Sequence, residues 1–431
     1  MKIFFKILFV LVLLNNFVLA ETFTSALKRA YETNPELNAE RETLNISKQE
    51  YNESKSAYFP TVTIEGTKSD EDTDKLTNQN GSDASIKDVS PETKSIKITQ
   101  TLIDLGRGSE LAKSKIGIDL AEAKLLKKEQ EILLKSIDAY TGLISANEKL
   151  MINKSNVELL DRQVETDKIR LERGQIGLSD VAQSESSLAG ARAKLIAAEN
   201  EVVTNKLNFE NVIGPLLDLN TLSSDLAMTL NLPNSLNNAL EVSRKNNPDL
   251  IISKLEYEQS EKDVQIARSD LSPSASISFE KSYSEDLSAT YDEREKDILK
   301  ATVIWPFYSG GKNRANLNKN KNLNTRKRLL LDSAVKTNEA IVASAWSNFL
   351  SNQSLLNSVE AQVRAAEIAN EGITAEYESG LGRTTLDVIQ SNSLLLNALI
   401  TRAESERNLI LSQFNLLKSI GLLNSNHLKI N

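Results

Sequence analysis

The sequence predicts a mainly α protein with a small β part, built from two copies of one unit: a short helical segment, a strand hairpin and a long coiled-coil hairpin. Three observations predict it. Prolines at 35, 60, 91, 215, 233, 248, 273 and 306 leave residues 92–214 and 307–431 proline-free. A proline inside a helix costs ~3 kcal/mol, so two such stretches, rich in Leu, Ala, Glu, Lys, Gln and Ser, are expected to be mostly helical. Asn34-Pro35-Glu36-Leu37 returns as Asn247-Pro248-Asp249-Leu250, 213 positions on, and Pro60 returns as Pro273 at the same offset. Finally, two Gly-rich breaks, Gly174 to Gln183 and Gly380 to Gln390, each lead into Asp-Val-x-Gln.

Residues 1–20 read as a secretory signal: Lys2 and Lys6, an apolar run from Ile7 to Leu14, and Val18-Leu19-Ala20 before Glu21. Without those two lysines the net charge moves from −8 to −10, which argues against nucleic-acid binding. The chain has no cysteine, which excludes disulfides, thiolate metal sites and a lipidated N-terminal cysteine. Its one histidine, His427, reads as a solvated tail side chain. With no phosphate loop, nucleophile elbow or paired-histidine motif, the sequence is expected to be neither an enzyme nor a cofactor or metal binder. After the signal no apolar run reaches the ~18 residues of a membrane-spanning helix, whereas strands of a membrane β-barrel leave only a weak hydropathy signal.

The first repeat spans 21–214. A helical segment over 24–57 ends at Pro60, and strands follow over about 60–72 and 94–104. Val62 and Ile64 alternate with Thr61, Thr63 and Glu65, and Ile96 and Ile98 with Lys97 and Thr99, giving one apolar and one polar face. The polar stretch between them reads as a surface loop. Long helices are expected over about 107–173 and 180–213; the first, at 1.5 Å per residue, is about 100 Å long. A connector, 215–235, is expected to wrap the outside.

The second repeat, 236–423, runs the same way: a helical segment over 236–270, strands over about 273–285 and 297–307, and helices over about 312–379 and 387–421. Ala275, Ile277 and Phe279 alternate with serines, and a charged loop is expected from Lys281 to Lys296. The stripe Leu399, Ala403, Ile410, Phe414, Leu417 suits helix-on-helix packing. The tail, 424–431, is expected to fray. Four strands with an outward apolar face make sense if several chains close one barrel, because closure removes the exposed edges.

In this order and duplicated, the Asn-Pro-x-Leu pairs, the strand exit Tyr308-Ser309-Gly310-Gly311-Lys312 and the turn from Gly380 to Gln390 resemble the TolC-like outer-membrane efflux protein family over essentially the whole mature chain. The resemblance implies a trimeric α/β-barrel channel-tunnel: one β-barrel in the cell outer membrane, in contact with its lipid, continued by a helical barrel across the periplasm. It implies a homotrimer working with a periplasmic adaptor (membrane fusion protein) and an inner-membrane pump of RND, MFS or ABC type, in tripartite efflux or type I secretion. A periplasmic coiled-coil adaptor or structural protein is the alternative. The two equivalent helical hairpins, each preceded by strands, set the chain apart from it.

Carried over by position, the resemblance makes the second turn a periplasmic gate. Asp387 is then its entrance aspartate, Arg383 its basic partner and Tyr377 its tyrosine, with Ser179 and Asp180 as acceptors from the first turn. Gln390 stands where the family often has a second acid, and the second turn is one residue longer than the first. Gly174, Gln175, Ile176, Gly380 and Leu381 would be the adaptor's docking spots. From the residues alone, Asp180 and Asp387 read as helix caps with Gln183 and Gln390 three positions on, and Gly174 and Gly380 as left-handed helix ends.

Overall fold

A computed structural model describes residues 22–430 except 73, 76, 78, 84–87, 217–218, 220–221, 224–229 and 289–290, so the segment read as a signal lies outside the described residues. The helices are α1 (Phe23–Thr33), α2 (Pro35–Ser56), α3 (Arg107–Glu172), α4 (Leu178–Val212), α5 (Leu236–Asn246), α6 (Pro248–Ser269), α7 (Lys312–Glu378) and α8 (Thr385–Ser419). The strands are β1 (Thr61–Lys68), β2 (Glu92–Ile103), β3 (Ser274–Ser288) and β4 (Tyr291–Ile304). Among the described residues no helix is long and apolar enough to cross a membrane.

The chain forms two compact units, and they are not the two repeats. Each takes a share of both: the first holds residues 22–41, 124–250 and 335–430, the second 42–123 and 251–334.

In the first unit one apolar core gathers Phe23 and Leu27 of α1, Ile137 and Tyr140 of α3, Phe209 of α4, and Phe414 and Leu417 of α8. Phe23 meets Tyr140 edge-on at 5.1 Å and Phe414 at 5.9 Å, the geometry aromatic quadrupoles favour. The duplicated Asn-Pro explains how the short helices join the long ones. Asn34 Oδ1 accepts from the backbone of Glu36 (3.0 Å) and Leu37 (3.3 Å), capping α2, while Pro35 occupies the first helical position, where no N–H is needed. The Asn34 side-chain amide donates to the Val212 carbonyl at the end of α4 (3.4 Å). Asn247 does the same for α6, through Asp249 (2.9 Å) and Leu250 (3.2 Å), and holds the Ser419 carbonyl at 2.9 Å. The expected single helical segments, 24–57 and 236–270, are therefore each two helices broken at this asparagine.

The tail does not fray. Leu428 and Ile430 are buried in the core, and Asn424 and Glu129 accept from its backbone, at His427 (2.8 Å) and Ser425 (2.5 Å). His427 is half buried with Nε2 enclosed rather than solvated, because the polar residues that suggested a loose end cap a tight final turn. The described connector residues Leu216, Leu219 and Leu222 also pack on this core, and Ser223 accepts a 2.9 Å bond from Tyr140.

The second unit holds one antiparallel sheet in the order β1-β2-β3-β4. Val62 pairs with Ile98, Ile98 with Phe279 and Phe279 with Leu299, so one apolar row runs across all four strands. All four side chains are exposed. Lys97 and Glu280 lie in the neighbouring row, whose side chains point to the other face. The second hairpin is longer than its charge suggests: Lys281 pairs with Asp297 and Glu285 with Glu293, so the expected loop from Lys281 to Lys296 is mostly strand. Charged residues fit such a ladder because pairing uses the backbone N–H and C=O groups and leaves the side chains free to reach water; Lys281 and Asp297 also attract across it, although Glu285 and Glu293 repel.

Candidate functional site

Both long hairpins reverse at tips of the same construction, and both lie in the first unit. At the end of α3, Gly174 N–H donates to the Leu171 carbonyl (2.9 Å) and Gln175 N–H to that of Arg170 (2.9 Å). At the end of α7, Gly380 donates to Tyr377 (3.2 Å) and Leu381 to Glu376 (3.0 Å). This paired closure needs a left-handed residue at its centre, and Gly174 (φ 68°) and Gly380 (φ 74°) supply it. Gly174, Gln175, Gly380 and Leu381 are exposed and Ile176 is half buried; Leu381 stands 72% exposed.

The next helices start at Leu178 and Thr385, two residues before the aspartates, and their caps stand three residues before them. Asp180 and Asp387 are not the first residues of capped helices but lie in their first turns. Asp387 Oδ2 accepts from the backbone N–H of Thr384 (2.8 Å) and from its hydroxyl (2.9 Å), and Thr384 Oγ1 accepts from Asp387 N–H (3.3 Å). This is a reciprocal capping box with Thr384, not Asp387, as the cap. In the first tip the cap is Gly177, whose N–H donates to Asp180 Oδ2 at 3.0 Å. Gln183 and Gln390 take no part and are exposed, as is Ser179. The backbone and hydroxyl donors of Thr384 hold the Asp387 carboxyl below the usual range, with Arg383 adding to the effect.

Arg383 Nε donates to Glu376 Oε2 at 2.6 Å, bridging the start of α8 back to the last turns of α7. The side chains are 43% and 46% exposed, so water screens the pair. Glu376 also holds the Arg383 guanidinium above its usual range. Among the described residues Arg383 meets neither Ser179 nor Asp180.

Tyr377 is buried, 4% exposed, and joins the two tips. Its phenol donates to Asp167 Oδ1 (2.7 Å) and lies 3.0 Å from Thr385 Oγ1. With the phenol proton on Asp167, Thr385 is the donor to the tyrosine oxygen. Asp167 has no solvent exposure and also accepts from Gln163 (2.9 Å) and from the Ser184 hydroxyl. The Arg170 guanidinium lies 4.2 Å above the Tyr377 ring. Burial pushes the Tyr377 phenol up, and Asp167 adds to that.

Asp167, Gln163, Ser184, Arg170, Thr385 and Glu376 are absent from the sequence-based site. For Asp167 a signal existed: Val157, Leu160, Val164, Asp167 and Leu171 follow three-four spacing, so one position of an apolar helix seam carries a carboxylate.

Two helical tips tied by a buried carboxylate, on a chain whose other unit offers a sheet with one exposed apolar face, define a coiled-coil protein that also carries membrane-type strand hairpins. The family model described as Outer membrane efflux protein matches residues 26–215 and 239–422, and the chain belongs to that family. It is similar to the outer membrane efflux protein BepC of Brucella suis (24% identical, covering 97% of this chain and 89% of the relative) and to the outer membrane protein TolC of Escherichia coli (23%, covering 95% and 84%). Among solved structures, the CmeC outer membrane channel of Campylobacter jejuni shares the fold, with a TM-score of 0.81 over 93% of this chain and 85% of that one at 14% identity. The chain is thus an outer-membrane efflux or secretion channel protein.

Proposed function

We propose that the chain is the exit duct of a tripartite efflux pump or type I secretion system, passively conducting small molecules or proteins from periplasm to exterior and gated at its helical tips. The observation that carries this reading is the tip itself. Tyr377, on α7, is tied to Asp167, on α3, across two helical hairpins, while Arg383–Glu376 is an exposed pair that a binding partner can displace. The duct is a homotrimer, closed at rest. Ser179, Asp180, Asp387 and Gln390 surround its entrance, and the exposed Gly174–Gln175–Ile176 and Gly380–Leu381 spots receive the tip of a periplasmic adaptor that couples the duct to an inner-membrane pump. No catalytic step belongs to it.

Single-channel recording in planar bilayers tests the gate. The Tyr377→Phe/Arg383→Ser double variant should conduct several-fold more than the parent, and unchanged conductance would remove the latch. Gly380→Trp tests docking separately: it should abolish efflux while leaving assembly intact.

A further inference from the structure

The sheet of the second unit ends in two unpaired edges, β1 and β4, and the helices running into and out of those edges, α2 and α7, are chemically opposite. On α7, Asn313, Asn324 and Lys327 turn inward to bond Asp270 (2.7 Å), Ser260 (3.0 Å) and Glu256 (2.6 Å) of the α6 region. The opposite face is small and neutral, with Ala315, Asn318 and Asn322, and ends on the exposed Leu329. Two basic rows, each at seven-residue spacing, flank it: Lys312, Lys319 and Arg326 on one side, Arg314, Lys321 and Arg328 on the other. All six are exposed, and among the described residues none has an ion-pair partner.

On α2 the half-buried side is Leu44, Ser47, Tyr51 and Ser54, and the opposite stripe carries Glu42, Glu50 and Glu53 around the exposed Ile46. That stripe forms a shallow groove that also includes Asn45 and Gln49 and contains no base. Glu42 accepts a 3.4 Å bond from Asn45 of the same stripe, and none of the three glutamates has an ion-pair partner among the described residues.

We infer that α2 of one copy docks against α7 of a second copy, the glutamate stripe lying on the small neutral face between the basic rows, with Ile46 facing Leu329. Charge complementarity selects a second copy as the occupant, because acidic and basic faces sit on opposite edges of one chain. A head-to-tail interface of that kind repeats until the ring closes. Flanking charges of opposite sign set register and partner choice in coiled coils in the same way. The seam rests on the trimer proposed above and specifies what makes its joints: each copy gives one acidic and one basic edge, and joining them also brings β1 toward the next copy's β4.

Full-length protein purified in detergent, sized by light scattering, tests this. E42K/E50K/E53K and K319E/R326E should each raise the concentration at which the trimer dissociates by at least ~10-fold, and the combined variant should return to within ~3-fold of the parent, the signature of direct coupling. Parent assembly should weaken as salt rises. Unchanged assembly in both reversed variants, or a combined variant as dissociated as the worse of the two, overturns the seam. Because the chain has no native cysteine, Gln49→Cys/Asn322→Cys on the unreversed seam gives a second reading that needs no charge-reversed protein to fold. A short bismaleimide should link copies into a dimer-to-trimer ladder, and a trimer that yields no ladder overturns the proposal. A parent that is monomeric at low salt would instead overturn the trimer itself.

Discussion

The phenol of Tyr377 donates a 2.7 Å hydrogen bond to Asp167, a carboxylate with no solvent exposure at all. Gln163 and Ser184 complete its partners, so the charge is solvated by side chains of α3, α4 and α7 rather than by water. Removing one donor strands part of a buried charge, which costs ~1–3 kcal/mol. Tyr377→Phe should therefore loosen the tips with little loss of packing, seen as faster amide exchange at the tip ends of the long helices. An exchange pattern identical to the parent's would show that the bond contributes nothing.

The Thr384–Asp387 box should be insensitive to pH through the neutral range and fail in acid. A depressed carboxyl contributes stability that is complete above its unfolded value and lost as pH falls through the lower folded one. Amide exchange at Thr384 and Asp387 should thus accelerate only below the ordinary aspartate range, about pH 4. Acceleration beginning near pH 6 would contradict this.

Two glycines separate conformational strain from steric exclusion. Gly380 has φ 74° with open space where a Cβ would go, so Gly380→Ala should cost only the ~1–2 kcal/mol of a left-handed residue. Gly421 has φ 81°, and a Cβ there would sit 2.2 Å from the Asn246 carbonyl oxygen. Gly421→Ala must push the α5–α6 junction away and should lower the yield of folded protein sharply, whereas Gly380→Ala should be recovered at near-parent yield.

Asn34 and Asn247 combine a cap and a grip, and a pair of substitutions separates them. Asn247→Asp keeps the acceptor for Asp249 and Leu250 but loses the donor to Ser419, while Asn247→Ala loses both. The alanine variant should be less stable by ~1–2 kcal/mol. If the aspartate variant equals it, the amide grip rather than the cap carries the junction.

Much of this molecule is legible in its sequence because helices this long leave a long record. Proline-free stretches split by two Gly-rich breaks place α3, α4, α7 and α8, and alternation places the apolar row from Val62 through Ile98 to Phe279. Short-range chemistry is harder to read. Thr384 and Asp387 are both competent caps three residues apart, and only backbone geometry decides which one is the cap. Asp167 hides within a helix, where one polar seam residue looks like a surface charge. The charged strand ends near Lys281 and Asp297 look like loop because composition records solvent contact, not backbone pairing. The tail misleads for the opposite reason: Asn424 and Ser425 are polar because they close a turn, not because they face water.

The lengths of the long helices have a consequence of their own. Leu143 sits in the core and Asp167 near the tip of the same continuous helix, about 36 Å apart at 1.5 Å per residue, with no break in the helix between them. Adding or deleting one residue in that interval turns everything beyond it by about 100° and would aim Asp167 away from Tyr377. The shaft therefore works as a ruler: between core and tip it tolerates changes of letter far better than changes of count. Its partner α4 and the counterparts α7 and α8 must keep the same tally for the two tips to meet.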